Sequence, residues 1–195
     1  LAAPLAQGQA VQAATEDTAY TYIAGGRVAG PATAVVRAAL DRAGLADARF
    51  DLYPWARAYE MAMTRPNVLI YLIARTPARE PLFRWVGEIT RIDYHLYRLR
   101  ERKDIQVRNL QDAQRYSIGV LRDDARQSYL RAQGFSKLVV SANNRDNFHK
   151  LLNEQVQLVP MPERDVAMLC EEARIDCAAL EPIYPLGAIS TGLYM

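Results

Sequence analysis

The chain has little to offer a metal ion or a disulfide framework: two histidines and two cysteines in 195 residues. His95 and His149 lie far in sequence from Cys170 and Cys177, so no metal-ligand spacing is present. A serine nucleophile elbow, a glycine-rich phosphate loop and a paired-carboxylate spacing are also missing, which argues against a common hydrolase or nucleotide enzyme. No cofactor is expected. No apolar run approaches the roughly 20 residues that cross a bilayer. The charge balance, 24 basic against 22 acidic residues, gives a net charge of +2 with no long run of either sign. Nucleic-acid binding, which wants a concentrated basic face, is disfavoured.

What remains is a globular composition, 50% hydrophobic and 24% charged, long enough for one large domain or two small lobes. The first residues, LAAPLAQGQA, are small and apolar and read as the tail of a secretory signal peptide around its cleavage site, so 1–14 is expected to be a leader remnant. Cys170 and Cys177 are separated by six residues. They can pair in an oxidising compartment, or stand as two buried thiols at a helix and its exit.

The centre of the sequence is residues 67–89, NVLIYLIARTPAREPLFRWVGEI. Val68 to Ile73 reads as a buried strand, Arg75 to Arg79 as a turn, and Phe83 to Ile89 as renewed extended structure. Turns that follow strand ends in open α/β sheets are where ligands collect. Arginine suits a carboxylate or phosphate there, which makes Arg79 and Arg75 candidate ligand contacts. Arg57 and Trp55, after Pro54, occupy another strand-to-helix turn at the same edge. Before this stretch, Ala19 to Ala24 reads as a strand, followed by a Gly25-Gly26 turn and a helix stopped by Gly44. Phe50 to Tyr53 reads as a strand and Pro54 opens a second helix. Strand, helix, strand, helix, strand predicts a parallel βαβαβ unit. A long extended segment, Ile89 to Leu99, leads to a second unit. Its strands are expected at Tyr116–Leu121, Lys137–Ser141 and Val156–Pro160, and its helices are capped by Asp123 or Asp124 and by Asn144 or Asp146. Ala178 to Tyr184 and Gly192 to Met195 read as late strands.

ATEDTAYTY, GPATAVVRAAL, YPWARA, RTPAREPLFRWVG and NLQDAQRYSIGVLRDDA follow one another in an order and spacing that resemble a known family. From Thr15 to Met195 the chain is similar to the type-II periplasmic solute-binding proteins of family 3, the polar amino-acid branch of ABC-transporter substrate-binding proteins. The resemblance implies an α/β, two-lobed fold in which each lobe is a mostly parallel sheet flanked by helices, joined by crossing hinge strands. Lobe one would be 15–90 with 186–195, and lobe two 91–185. It implies a periplasmic protein that closes on a small carboxylate-bearing, amino-acid-like solute and passes it to a membrane permease, with no catalysis. Arg79 holds the position of the arginine that pairs with the solute carboxylate. Asp124 and Ala125 match the lobe-two loop whose N–H groups face the solute, and Tyr20 or Tyr22 the ring that stacks on it. The chain departs from the family at Gln155-Val156-Gln157-Leu158, where relatives carry a Gly-Arg-x-Asp whose acid grips an amino group, so that acid is absent or moved. Relatives also continue past the position of Met195 with a helical segment on lobe one. Two other functions share this fold. One is a ligand-sensing module. The other is a dehydratase, which needs an acid beside an arginine in the cleft, with Glu16, Glu88 and Asp124 as candidates.

Overall fold

The computed structural model describes residues 10–195. Positions 1–9 of the expected leader lie outside the described residues, and its last positions enter a strand. The first strand, β1 (Gln12–Thr15), begins there and is the central strand of a sheet, with Ala13, Ala14 and Thr15 fully buried. Successive strand residues face opposite sides of a sheet. Ala13 accordingly joins one apolar cluster and Ala14 another, and both positions are small because both faces are covered.

The expected strand at Ala19–Ala24 does not form as one piece. Gly25 and Gly26 both adopt positive φ, 57° and 73°, as a tight hairpin turn requires. Tyr22–Ala24 (β2) therefore folds back on Arg27–Ala29 (β3), on the surface. Gly30 follows at φ 108°, where a Cβ would lie 2.5 Å from the Tyr20 carbonyl oxygen, so only glycine lets the chain pass the loop after β1. Pro31 opens α1 (Pro31–Arg42), then come β4 (Arg49–Leu52), α2 (Trp55–Thr64) and β5 (Val68–Ile70). The order β4-β1-β5 is parallel throughout, the expected βαβαβ unit with its first strand moved upstream.

The strand expected at Val68–Ile73 is also broken. After Tyr71, Leu72 turns into the left-handed region at φ 60°, and Ile73–Ala74 (β6) leaves the parallel sheet to pair antiparallel with the last strand, β13 (Thr191–Tyr194). A 3₁₀ turn, Glu80–Leu82, follows the Arg75–Arg79 stretch, and of the expected extended segment Phe83–Ile89 only its end is strand, where β7 (Glu88–Ile92) begins. β8 (Tyr94–Leu99) follows a break at Asp93.

The second unit has β9 (Ile118–Leu121), α3 (Ala125–Ala132), β10 (Leu138–Ser141), α4 (Asn144–Leu152), β11 (Val159–Pro162), α5 (Glu163–Ala173) and β12 (Leu180–Pro185). β9 and β10 are parallel, β8 is sandwiched antiparallel between β11 and β12, and a bridge between Ile118 and Leu158 ties the two sheets. β13 (Thr191–Tyr194) then returns to pair between β6 and β7. The chain thus crosses between lobes twice, at Asp93 and between β12 and β13. Cys170 and Cys177 form a disulfide that joins α5 to its exit, with Cα atoms 5.5 Å apart.

Candidate functional site

Loops from both lobes meet at the carboxyl ends of β1, β4, β9 and β11, and enclose a small cavity of about 30 Å³. That is room for a water or two. Lobe one supplies Glu16, Thr18 and Tyr20 after β1, Trp55 at the start of α2, and Leu72, Ala74 and Arg79 around β6. Lobe two supplies Tyr94, Asp124, Arg126, Asn144, Pro162 and Asp165.

The floor is fixed by a buried hydroxyl cluster. Thr15 Oγ1 donates to the Tyr71 carbonyl at 2.8 Å, and the Tyr71 hydroxyl lies 3.1 Å from Thr33 Oγ1 and 3.3 Å from Thr21 Oγ1. These bonds tie the loop after β1 to the strand break at Leu72.

Arg79 is held by its own turn, where its N–H donates to Thr76 O at 2.9 Å. Only 6% of it is exposed. Its guanidinium carbon sits 5.0 Å from the Tyr59 ring centre and 5.5 Å from that of Trp55. Nη1 donates to Ala74 O at 3.4 Å and Nη2 to Asp123 O at 3.0 Å. Both acceptors are neutral carbonyls, and among the described residues no carboxylate comes within ion-pair distance of it. The Asp124 carboxylate feels the Arg79 charge from a distance but is held in direct contact by Arg126, so an anion in contact with Arg79 would be favourable.

Asp123 is the other half of that contact. It adopts a left-handed conformation, φ 57°, rare outside glycine, and its N–H donates to Gln127 Oε1 at 2.8 Å. Its carbonyl accepts from both Arg79 and Trp55 Nε1, the latter at 3.1 Å. Three more contacts cross between the lobes: Ala19 N–H to Asp165 Oδ1 at 3.1 Å, Arg145 to Asp17 at 2.8 Å, and Asn144 to Glu16 at 3.4 Å. Leu121 of β9 packs in the cluster of Trp55, Ile70 and Ile73. The two lobes are closed on each other.

Asp124 caps α3, accepting from the Arg126 N–H at 2.8 Å, and takes the Arg126 side chain at 2.5 Å. Burial opposes its charge, but the Arg126 guanidinium outweighs burial and holds its carboxyl below the usual range. Arg126 also donates to Pro160 O at 3.1 Å and lies over the Tyr94 ring. Asp165 has no such partner, and burial pushes its carboxyl up. Glu16 is raised to about 8: burial is the largest cause, Arg126 opposes it, and Asp124, Asp165 and Asp17 add to it.

Of the residues expected at the site, Arg79, Tyr20, Trp55 and Asp124 line the cavity. Four do not. Arg75 points to solvent and is held by Glu80 through two hydrogen bonds of 2.7 and 2.5 Å. Arg57 is exposed on α2 and pairs with Glu60. Tyr22 is carried away by the β2–β3 hairpin, and Ala125 starts α3 without lining the cavity. Glu88 lies on β7, bonded to Tyr194 and Arg91. None of residues 155–158 lines the cavity, whose carboxyls come from Glu16, Asp124 and Asp165. Arg126 and Asp165 carry no site signal in the sequence beyond position, and Asn144 only that of a helix start; each lies in the first turn of a helix that follows a strand.

No family model matches the chain, and no curated protein does. Solved structures match across nearly its whole length. A histidine-kinase sensor domain with similarity to periplasmic binding proteins superposes with a TM-score of 0.81 at 16% identity, covering 95% of this chain and 79% of that one. An ancestral arginine-binding protein bound to arginine gives 0.76 at 13% identity, covering 95% and 83%. An amino-acid ABC-transporter substrate-binding protein from Streptococcus pneumoniae, bound to L-arginine, gives 0.73 at 14%, covering 95% and 80%. The fold is that of the periplasmic binding proteins, two lobes with a cleft between. These similar structures are binding proteins and a sensor domain rather than enzymes.

Proposed function

We propose that the protein captures a small amino-acid-like solute between its lobes and delivers it, in an extracytoplasmic compartment, to an ABC-type permease. Arg79 carries this reading: a buried guanidinium in the cleft with only neutral carbonyls as partners is a receptor for a carboxylate. Two charge-assisted hydrogen bonds there are worth roughly 1.5 to 3 kcal/mol each. Glu16 and Asp165 line the same cavity and suit the solute's positive group, while Trp55 and Tyr20 give it ring faces. A zwitterion therefore fits better than a simple acid.

The cavity of about 30 Å³ is smaller than any amino acid, so the lobes must part to load. We assign lobe one to 12–92 with 191–195, lobe two to 94–185, and the hinge to Asp93 and 186–190. Closure over a solute brings the Arg79, Trp55, Asp165 and Arg145 sides of the boundary toward one another but stops short of the separation seen here, since a cavity of about 30 Å³ holds no amino acid. A thermal-shift screen against amino acids, small carboxylates and amines tests the reading, because a ligand that binds the folded state raises the melting point. No shift with any amino acid at millimolar concentration would sink it.

The TM-score of 0.81 with a kinase sensor domain favours a second reading, in which closure is reported to a signalling chain. Cross-linking of the liganded protein in native membranes separates the two: a transport permease supports delivery, a receptor kinase supports sensing.

A further inference from the structure

The bond that joins the lobes at Arg79 is made by the backbone of lobe two, and it engages a group that a solute would need. The Asp123 carbonyl accepts from Arg79 Nη2 at 3.0 Å and from Trp55 Nε1 at 3.1 Å. Both lone pairs of one lobe-two oxygen are thus taken by lobe-one donors, one of them charged. Leu121, two residues earlier, packs among Trp55, Ile70 and Ile73 of lobe one and adds an apolar contact to the same junction.

Asp123 holds this position in a strained conformation. Its φ of 57° lies in the left-handed region, which a residue with a Cβ keeps only where its surroundings impose it. One restraint comes from lobe two, where the Asp123 N–H donates to the buried Gln127 Oε1 at 2.8 Å. The others are the two donors of lobe one. The Asp123 side chain itself is exposed. With these bonds made, the cavity of about 30 Å³ holds no amino acid. A solute carboxylate needs the guanidinium that Asp123 engages, and it needs the lobes further apart. The bond to Asp123 and the bond to a solute therefore exclude each other.

We propose that the Asp123 carbonyl is an internal competitor for Arg79: it latches the lobes at a separation that shuts the solute out, and a solute binds by taking its place. This rests on the solute-capture reading and adds a regulation of its site. The protein divides between a shut form and a form able to load, and apparent affinity falls in proportion to the share able to load. The lobes stand further apart with a solute bound than in the shut form. The backbone conformation of one residue sets how much affinity is withheld.

Two substitutions remove the same exposed charge and move the latch in opposite directions. Asp123→Gly frees the left-handed φ of strain and favours the latch, whereas Asp123→Val makes that φ harder to hold than in the wild type. Calorimetry with each of the twenty standard amino acids, on wild type and both variants, reads the affinity. The amino acid that binds should be held about fivefold or more tighter by D123V than by D123G. Small-angle scattering without amino acids should give D123V a larger radius of gyration than D123G, and the two radii should converge when that amino acid saturates both. Trp55→Phe keeps a ring and removes one donor to the same carbonyl, so its radius should exceed that of the wild type; this variant carries the test if D123V does not fold. Equal radii for D123G and D123V, or for W55F and wild type, would overturn the latch, as would equal or reversed affinities in the two Asp123 variants. If an amino acid binds all these proteins with one affinity, the latch fails and solute capture stands. If none binds any of them, both fail.

Discussion

Substituting Glu16 with Gln removes a carboxyl that burial among three other acids holds at about 8, against an ordinary 4.5. The folded state binds this proton more tightly than the unfolded chain does. Its contribution to stability is therefore complete below pH 4.5 and lost progressively as pH rises toward 8. At 1.36 kcal/mol per pH unit, the displacement amounts to about 5 kcal/mol, an upper bound because opening of the cleft rehydrates the group. For a chain of this length that is about 10 to 20 °C in melting temperature. The assay is a set of thermal melts of wild type and Glu16→Gln between pH 4.5 and 8.5 at constant ionic strength. Every other titrating group is common to both proteins, so the difference curve isolates Glu16. The wild type should lose stability relative to the variant steadily across this range, with the variant the more stable above pH 8. Parallel curves would show that Glu16 is solvated like an ordinary surface acid and would refute the reasoning.

Three further outcomes follow from the contacts. Arg126→Met leaves Asp124 buried without its partner and should cost about 3 to 5 kcal/mol, read by denaturant unfolding, with part recovered in the double variant with Asp124→Asn. Reducing the Cys170–Cys177 disulfide, or replacing both with Ser, should lower stability by about 2 kcal/mol in the same measurement, because the loop it closes is short. Arg75→Ala should leave solute affinity within about twofold of wild type by calorimetry, since that side chain is exposed and engaged with Glu80.

Much of the fold is legible in the sequence because hydrophobic period and turn residues agree: α1 stopped by Gly44, α2 opened by Pro54, β9 and β10 as apolar runs. β1 was hidden because a central strand covered on both faces by helices uses alanines, which carry no strand signature and resemble a leader's small residues. The break at Leu72 was hidden because an apolar run does not reveal one residue's φ. At the site, the turn that carries Arg75 and Arg79 was legible and the family resemblance favoured Arg79, but the residue types alone do not say which arginine faces inward. That depends on Glu80 capturing Arg75 at the surface while Tyr59 and Trp55 enclose Arg79. Arg126 and Asp165 could not be told from ordinary residues of a helix's first turn, because only closure of the two lobes brings them to the same cavity as Glu16.

The central claim is that a buried Arg79, with only neutral carbonyls in hydrogen-bond contact, receives the carboxylate of a solute enclosed between the lobes. The direct test is titration calorimetry of wild type and Arg79→Ala with the amino acid that gives the largest thermal shift, after circular dichroism confirms that the variant is folded. The account predicts measurable heat with the wild type and a loss of at least about tenfold to a hundredfold in affinity in the variant, the worth of one to two charge-assisted hydrogen bonds. Undiminished affinity in the folded Arg79→Ala protein would contradict it.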